Sequence, residues 1–257
     1  MGLVCKALSS FLVLSLIGPN SLLLAQEPTL LRVYSSNGVK AVLEDLHLDI
    51  ERTIEATLSF EFSTSRTLAD KVLSGESFDV VILTPALIDE LIASKKVDSN
   101  SRSKFSQVGV GVGSRQGELV KSVSTLDDLR EVLLGAESIA YGENGQSRRT
   151  NEASFATLGI TEEVHKKRRL TGPGKGPQLV AEGEVELVLT LVSELIREPG
   201  VQFLGVLPPE VQRYIQFEAA MGIAVKDSVN GREFIRFLSS PEFSSALNKH
   251  GLEFISQ

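Results

Sequence analysis

Residues 60–85 read FEFSTSRTLADKVLSGESFDVVILTP, and this stretch decides the fold. From residue 58, LSFEF alternates apolar and polar side chains as a half-buried strand does. RTLADKVLSGE then reads as a helix stopped by Gly75, the residue suited to the left-handed conformation past a helix end. FDVVIL (78–83) is continuously apolar after its Asp, the pattern of a strand buried on both faces. Thr84 and Pro85 follow as N-cap and first helical residue of another helix. Strands this far apart cannot form hairpins, so the unit predicts a parallel sheet covered by helices.

The same grammar extends in both directions. Upstream, LRVYS (31–35) is a strand, and a helix with Val39, Val42, Leu43, Leu46 and Ile50 on one face follows it. Downstream come a strand at QVGVGV (107–112), a helix starting at Ser124 and a strand at SIAYG (138–142). A second series then begins with the polar loop ENGQSRRT and a helix to Leu158 closed by Gly159. It continues with a short strand near RRLT, a helix after Gly176 and Pro177, and the strand VELVLT. IQFEAAMGIAV (215–225) reads as one long strand, and two helices finish the chain, the second between Pro241 and Gly251. The prediction is an α/β protein of two lobes, each a mainly parallel sheet flanked by helices. Residues 29–113 with 213–257 form the first lobe, residues 114–212 the second, and crossings near 112–116 and 209–214 join them. A ligand cleft is expected between the lobes, where open α/β sheets bind at the C-terminal ends of their strands.

The first residues, MGLVCKALSSFLVLSLIGPNSLLLAQEP, carry one Lys and an apolar stretch interrupted by Gly18 and Pro19. This is the pattern of a secretory signal peptide over 1–25, cleaved after Ala25. The stretch is short for a bilayer, which asks for about 20 apolar residues. The single cysteine, Cys5, lies inside it, so the mature chain has no disulfide, thiolate metal site or cysteine nucleophile. The formal charge is −7, and removal of Lys6 makes it −8, 25 basic against 33 acidic residues. Nucleic-acid binders are normally basic, and this chain is not.

Motifs for common chemistries are missing. GVGVGS (109–114) lacks the spacing of a dinucleotide fingerprint, and TGPGKGP has neither the first glycine nor the Ser or Thr of a phosphate loop. His47, His165 and His250 are scattered, with no metal-ligand spacing. No nucleophile elbow occurs. What recurs is a loop of small polar residues where a strand hands over to a helix. Ser35, Ser36, Asn37 and Gly38 form the first, and Ser63, Thr64, Ser65 and Arg66 the second. Residues 143–148, with Gly145, Gln146, Ser147 and Arg148, and the glycine-rich 172–176 hold comparable places in the second series. A helix N-terminus offers unpaired N–H groups and about half a positive charge, so each loop suits an anion. Ordinary helix capping explains any one of them equally well. Arg66 and Arg148 add guanidinium forks that fit a carboxylate.

LRVYSSNGVKAVLEDL, FEFSTSRTLADKVLSGESFDVVILTPALIDELIASKKV and VAEGEVELVLTLVSELI together resemble the periplasmic molybdate-binding protein family of ABC transporters, with the type II periplasmic-binding fold. GVLPPEVQ, AMGIAV and FIRFLSSPEFSSALNKHGLEF extend the resemblance over nearly all of the mature chain. It implies a monomeric periplasmic protein without cofactor that closes on a small anion and delivers it to a membrane permease. It implies ligand donors in the loops Ser35–Gly38 and Thr64–Ser65, with small residues usual where Arg66 stands. The residues themselves add Arg66 as a charge partner to the donors Ser36, Asn37, Thr64 and Ser65, and Gly145, Gln146, Ser147 and Arg148 from the opposite lobe. Aligned without gaps, the family's ligand serine falls on Gly38, leaving Ser35, Ser36 or Asn37 to substitute, and Thr190 with Leu191 stands where a ligand tyrosine is usual. A branch of similar pattern includes periplasmic aconitate isomerase, a cofactor-free enzyme. It implies the alternative, an isomerase of a small tricarboxylate, with Glu143, Lys175 and Tyr141 as candidate bases.

Overall fold

The computed structural model describes residue 2 and residues 29–118 and 121–255. Apart from residue 2, the expected signal peptide lies outside the described residues. Among these, no helix is long and apolar enough to cross a membrane.

Eleven strands form two mixed sheets among the described residues. The strands are β1 (Leu30–Ser36), β2 (Thr57–Ser63), β3 (Val80–Leu83), β4 (Ser103–Val108), β5 (Val110–Arg115) and β6 (Ile139–Gly142). β7 (Arg168–Thr171), β8 (Leu187–Leu191), β9 (Val201–Val206), β10 (Ile215–Met221) and β11 (Glu253–Phe254) complete them. The first sheet runs β11-β4-β10-β3-β1-β2 and the second β7-β6-β8-β5-β9. β2, β1 and β3 are mutually parallel, as are β7, β6 and β8, because a helix separates each from the next. β10 and β5 enter these sheets antiparallel.

Packing follows the two-residue period of the strands. Val80 and Ile82 of β3 join the largest apolar cluster, while Val81 and Leu83 face a second one with Leu68, Val72, Ile88 and Leu91 of the flanking helices. All four β3 residues are buried, as the unbroken apolar run predicts. β8 divides likewise, Leu187, Leu189 and Leu191 to the large cluster and Val188 to the other side. Fully burying a side chain of this kind stabilises the fold by roughly 1.5–3 kcal/mol.

Four local readings change. The run 107–112 is not one strand: β4 ends at Val108 and β5 begins at Val110 in the other sheet. The chain therefore changes sheet at Gly109, ahead of the expected 112–116, and returns between Leu207 and Ile215. A clamp fixes the crossing, since the Gln212 amide donates to Val110 O (2.8 Å) and accepts from Val110 N (3.0 Å), imitating a strand partner. The helix expected across 39–50 is a short 3-10 turn and two helices, Lys40–Asp45 and His47–Ile54, broken at Leu46. Its five apolar residues are all buried as expected. β10 stops at Met221, and Gly222 makes only a bridge to Val97. β9, absent from the sequence reading, is an edge strand hidden by its setting, with Pro199 and Gly200 before it and Pro208 after.

Candidate functional site

The strand ends of both sheets open on one cavity of about 210 Å³. From the first sheet, β2 hands over to Thr64, whose hydroxyl accepts from Thr67 N (3.1 Å) and caps the helix Ser65–Ser74. Ser65 is the first residue of that helix, 1% exposed, and its Oγ has no partner. β1 ends in Ser36, which caps nothing with its hydroxyl, and Asn37 and Gly38 turn beneath the cavity. From the second sheet, β6 ends at Gly142, and Gly145, Gln146 and Ser147 lead into the helix Ser147–Leu158. Two helices of ten and twelve residues thus begin on the wall of the same cavity.

Eight of the expected residues meet here: Ser36, Asn37, Gly38, Thr64, Ser65, Gly145, Gln146 and Ser147. Three do not. Ser35 is buried in β1, its hydroxyl donating to Ser36 O (3.4 Å). Arg66 is engaged by Glu90 (2.7 Å) and Asp70 (2.6 Å) away from the cavity. Asp70 one turn along and Glu90 from the next helix are the local reasons for an arginine at a helix start. Arg148 donates to Glu143 O and lies 3.8 Å from Glu152. Among the described residues, no Lys or Arg lines the cavity.

Of the candidate bases, only Glu143 reaches the cavity, from an exposed position. The buried Tyr141 donates to Glu152 (3.0 Å) and its phenol is pushed up to about 12, by burial first and the neighbouring carboxylate second. Lys175 lies in an adjoining recess and donates to Gln178 (3.4 Å). The sequence reading missed Thr67, Thr171, Leu191, Phe217 and, above all, Glu194. Glu194 sits on the short helix Val192–Leu195, where the Thr190 hydroxyl donates to its Oε2. The residue is half-buried on the cavity wall, and loss of solvent around its carboxyl raises the pKa against the pull of Thr190.

The two halves of the cavity touch. Ser193 Oγ donates to Gly38 O (2.7 Å), Gln146 Nε2 donates to Thr84 Oγ1 (3.5 Å), and Arg197 pairs with Glu44. Gly38 has to be glycine at this approach: a Cβ there would lie 2.3 Å from Phe217 Cζ and 2.9 Å from Leu191 Cδ1.

A family model described as bacterial extracellular solute-binding protein matches residues 31–253. The chain belongs to this family. Among relatives of the solute-binding chain, an aconitate isomerase from a Pseudomonas species is 25% identical over 243 residues, 93% of each protein. Among solved structures, the periplasmic molybdate-binding protein of Azotobacter vinelandii superposes with a TM-score of 0.74 at 14% identity, over 88% of this chain and 99% of that one. The sulfate-binding protein SubI of Mycobacterium tuberculosis does so with 0.70 at 15% identity, over 88% and 87%. The fold is therefore the two-lobed type II periplasmic-binding fold, with the cleft between the lobes.

Proposed function

We propose that this solute-binding protein is exported to the periplasm, closes around one small anion and hands it to an ABC permease. Ser65 carries the reading. A hydroxyl that is buried and unpartnered is costly, and this one stands at a helix N-terminus on a cavity wall. Ser147 opens a second helix on the same cavity, so the partial positive ends of two helices and the hydroxyls of Ser36 and Ser147 surround one space with that of Ser65. Neutral donors of this kind hold an anion without a lysine or arginine. The test is thermal unfolding of the purified protein with molybdate, tungstate, sulfate, phosphate, citrate, cis-aconitate and trans-aconitate. At 100 times its Kd a ligand stabilises by about 2.7 kcal/mol. A melting temperature unmoved by all seven refutes the anion reading.

Glu194 favours a second reading, a cofactor-free isomerase of a small tricarboxylate. Moving a proton between carbons needs an acid or base within about 3 Å of the substrate. A carboxyl with a raised pKa on the cavity wall is such a group, and the aconitate isomerase relative points the same way. Proton NMR of trans-aconitate incubated with the protein decides it, the appearance of the cis isomer favouring turnover and its absence favouring binding alone.

A further inference from the structure

Holding an anion with neutral donors does not call for a carboxyl group, yet one is built into the cavity. Glu194 lines the same space as Ser65 and Ser147. Its Oε2 accepts from the Thr190 hydroxyl, four residues earlier in β8, and its Oε1 accepts no bond from the described residues. The charged groups around it do not neutralise it. Lys40, Lys175, Arg197 and Glu198 share the recess on its other side. Lys40 and Arg197 both turn to Glu44, and Lys175 turns to Gln178. Glu143, the other acid on the cavity wall, is exposed and adds negative charge. An ionised Glu194 would therefore repel the anion that the helix ends attract, with no counter-charge between them. The neutral acid does the opposite, since its O–H is one more donor. Burial already favours that form.

Resting on the anion reading above, we propose that Glu194 stands as the neutral acid in the ligand-bound site and donates its Oε1 hydrogen to the anion, so that the protein takes up a proton with its ligand. This makes Glu194 a specificity-determining residue: it favours a ligand with an acceptor oxygen at that wall. The coupling holds whether or not the bound molecule is turned over.

The experiment is isothermal titration of the purified protein with trans-aconitate and, separately, with molybdate. Each is titrated from about pH 6 to about pH 9, in pairs of buffers with unlike ionisation heats. Like charges on one molecule raise the last pKa of a tricarboxylate, so only the slope above about pH 7, where trans-aconitate is fully ionised, is assigned to the protein. For a probe that binds, the expected affinity falls by up to about tenfold per pH unit where Glu194 is ionised in the free protein. There the binding heat differs between buffers as uptake of one proton requires. E194Q keeps the shape and a donor, and its affinity is expected to be flat with pH and its heat independent of buffer. A melting curve of E194Q establishes that it folds. A flat profile in the unmodified protein, or a slope that survives in E194Q, overturns the proton coupling while leaving anion binding intact. Failure of both probes to bind at any pH overturns the anion reading and the coupling with it.

Discussion

Ser65 and Thr64 are neighbours with opposite jobs, and substituting each by alanine separates them. Thr64 caps the helix Ser65–Ser74 through Thr67 N, so Thr64→Ala costs about 1 kcal/mol of stability with or without ligand. Ser65 Oγ bonds nothing in the protein, so Ser65→Ala removes no internal hydrogen bond and does not lower the melting temperature of the free protein. Its effect falls on the anion complex, where a hydrogen bond to a charged group contributes about 1.5–3 kcal/mol. That corresponds to a Kd roughly 10- to 150-fold weaker. At an anion concentration of about 100 times the original Kd, a hundredfold loss reduces ligand stabilisation from about 2.7 to about 0.4 kcal/mol. For a chain of this size each kcal/mol moves the midpoint by about 2–4 °C, so a shift of roughly 5–11 °C shrinks to about 1–2 °C. The assay is differential scanning calorimetry of both variants with and without the best anion of the panel. A Ser65→Ala protein that melts lower when free, yet keeps its full ligand shift, would falsify the assignment and make Ser65 a packing residue.

Arg66→Ala is expected to leave anion affinity unchanged by titration, because Glu90 and Asp70 hold its guanidinium; these half-exposed pairs contribute about 0–1 kcal/mol each. A tenfold weaker Kd would return Arg66 to the site. Gln212→Ala takes the side-chain acceptor from Val110 N, while Val110 O keeps its bond from Leu207 N; a buried group left unpaired costs about 1–3 kcal/mol, visible as a lower urea midpoint. Ser193→Ala removes the bond to Gly38 O without touching the anion, so affinity should fall about 2- to 13-fold; unchanged affinity means the contact plays no part in closure. For Glu152, burial alone would raise the pKa, and the hydrogen bonds from His165 and Tyr141 outweigh it, leaving it lowered. A lowered carboxylate stabilises above its unfolded pKa and loses that contribution as pH falls through the folded value. Acid titration of Glu152→Gln should therefore show a flatter loss of stability below about pH 4.3.

The fold was legible wherever a helix separates two strands. β1, β2, β3, β6 and β8 all stand where alternating or largely apolar runs meet Gly, Pro or a capping residue. Legibility fails where the chain changes sheet. Residues 108–112 are only valine and glycine, and a strand in the first sheet has the same composition as one in the second. Only Gln212, more than a hundred residues on, marks Gly109 as the break, through a clamp no local pattern reveals. Leu46 is hidden for a related reason: its apolar period is unbroken, and the helix divides there in the backbone alone.

The site divides along the same line. Donors that belong to strand-to-helix junctions are visible, because capping and anion binding draw on the same small polar residues. Charges are not, because a guanidinium goes to the nearest carboxylate, and Asp70 and Glu90 lie nearer to Arg66 than the cavity does. Glu194 is hidden inside LTLVSELI, where a single acid among apolar residues looks like the solvent side of a strand or helix. What brings it to the cavity is the four-residue helix that turns back after β8. Thr190 and Leu191 then take two separate parts, the first holding Glu194 and the second packing over Gly38. On the proton-coupled reading proposed above, a half-buried carboxyl among neutral hydroxyls offers the ligand a donor that depends on a proton.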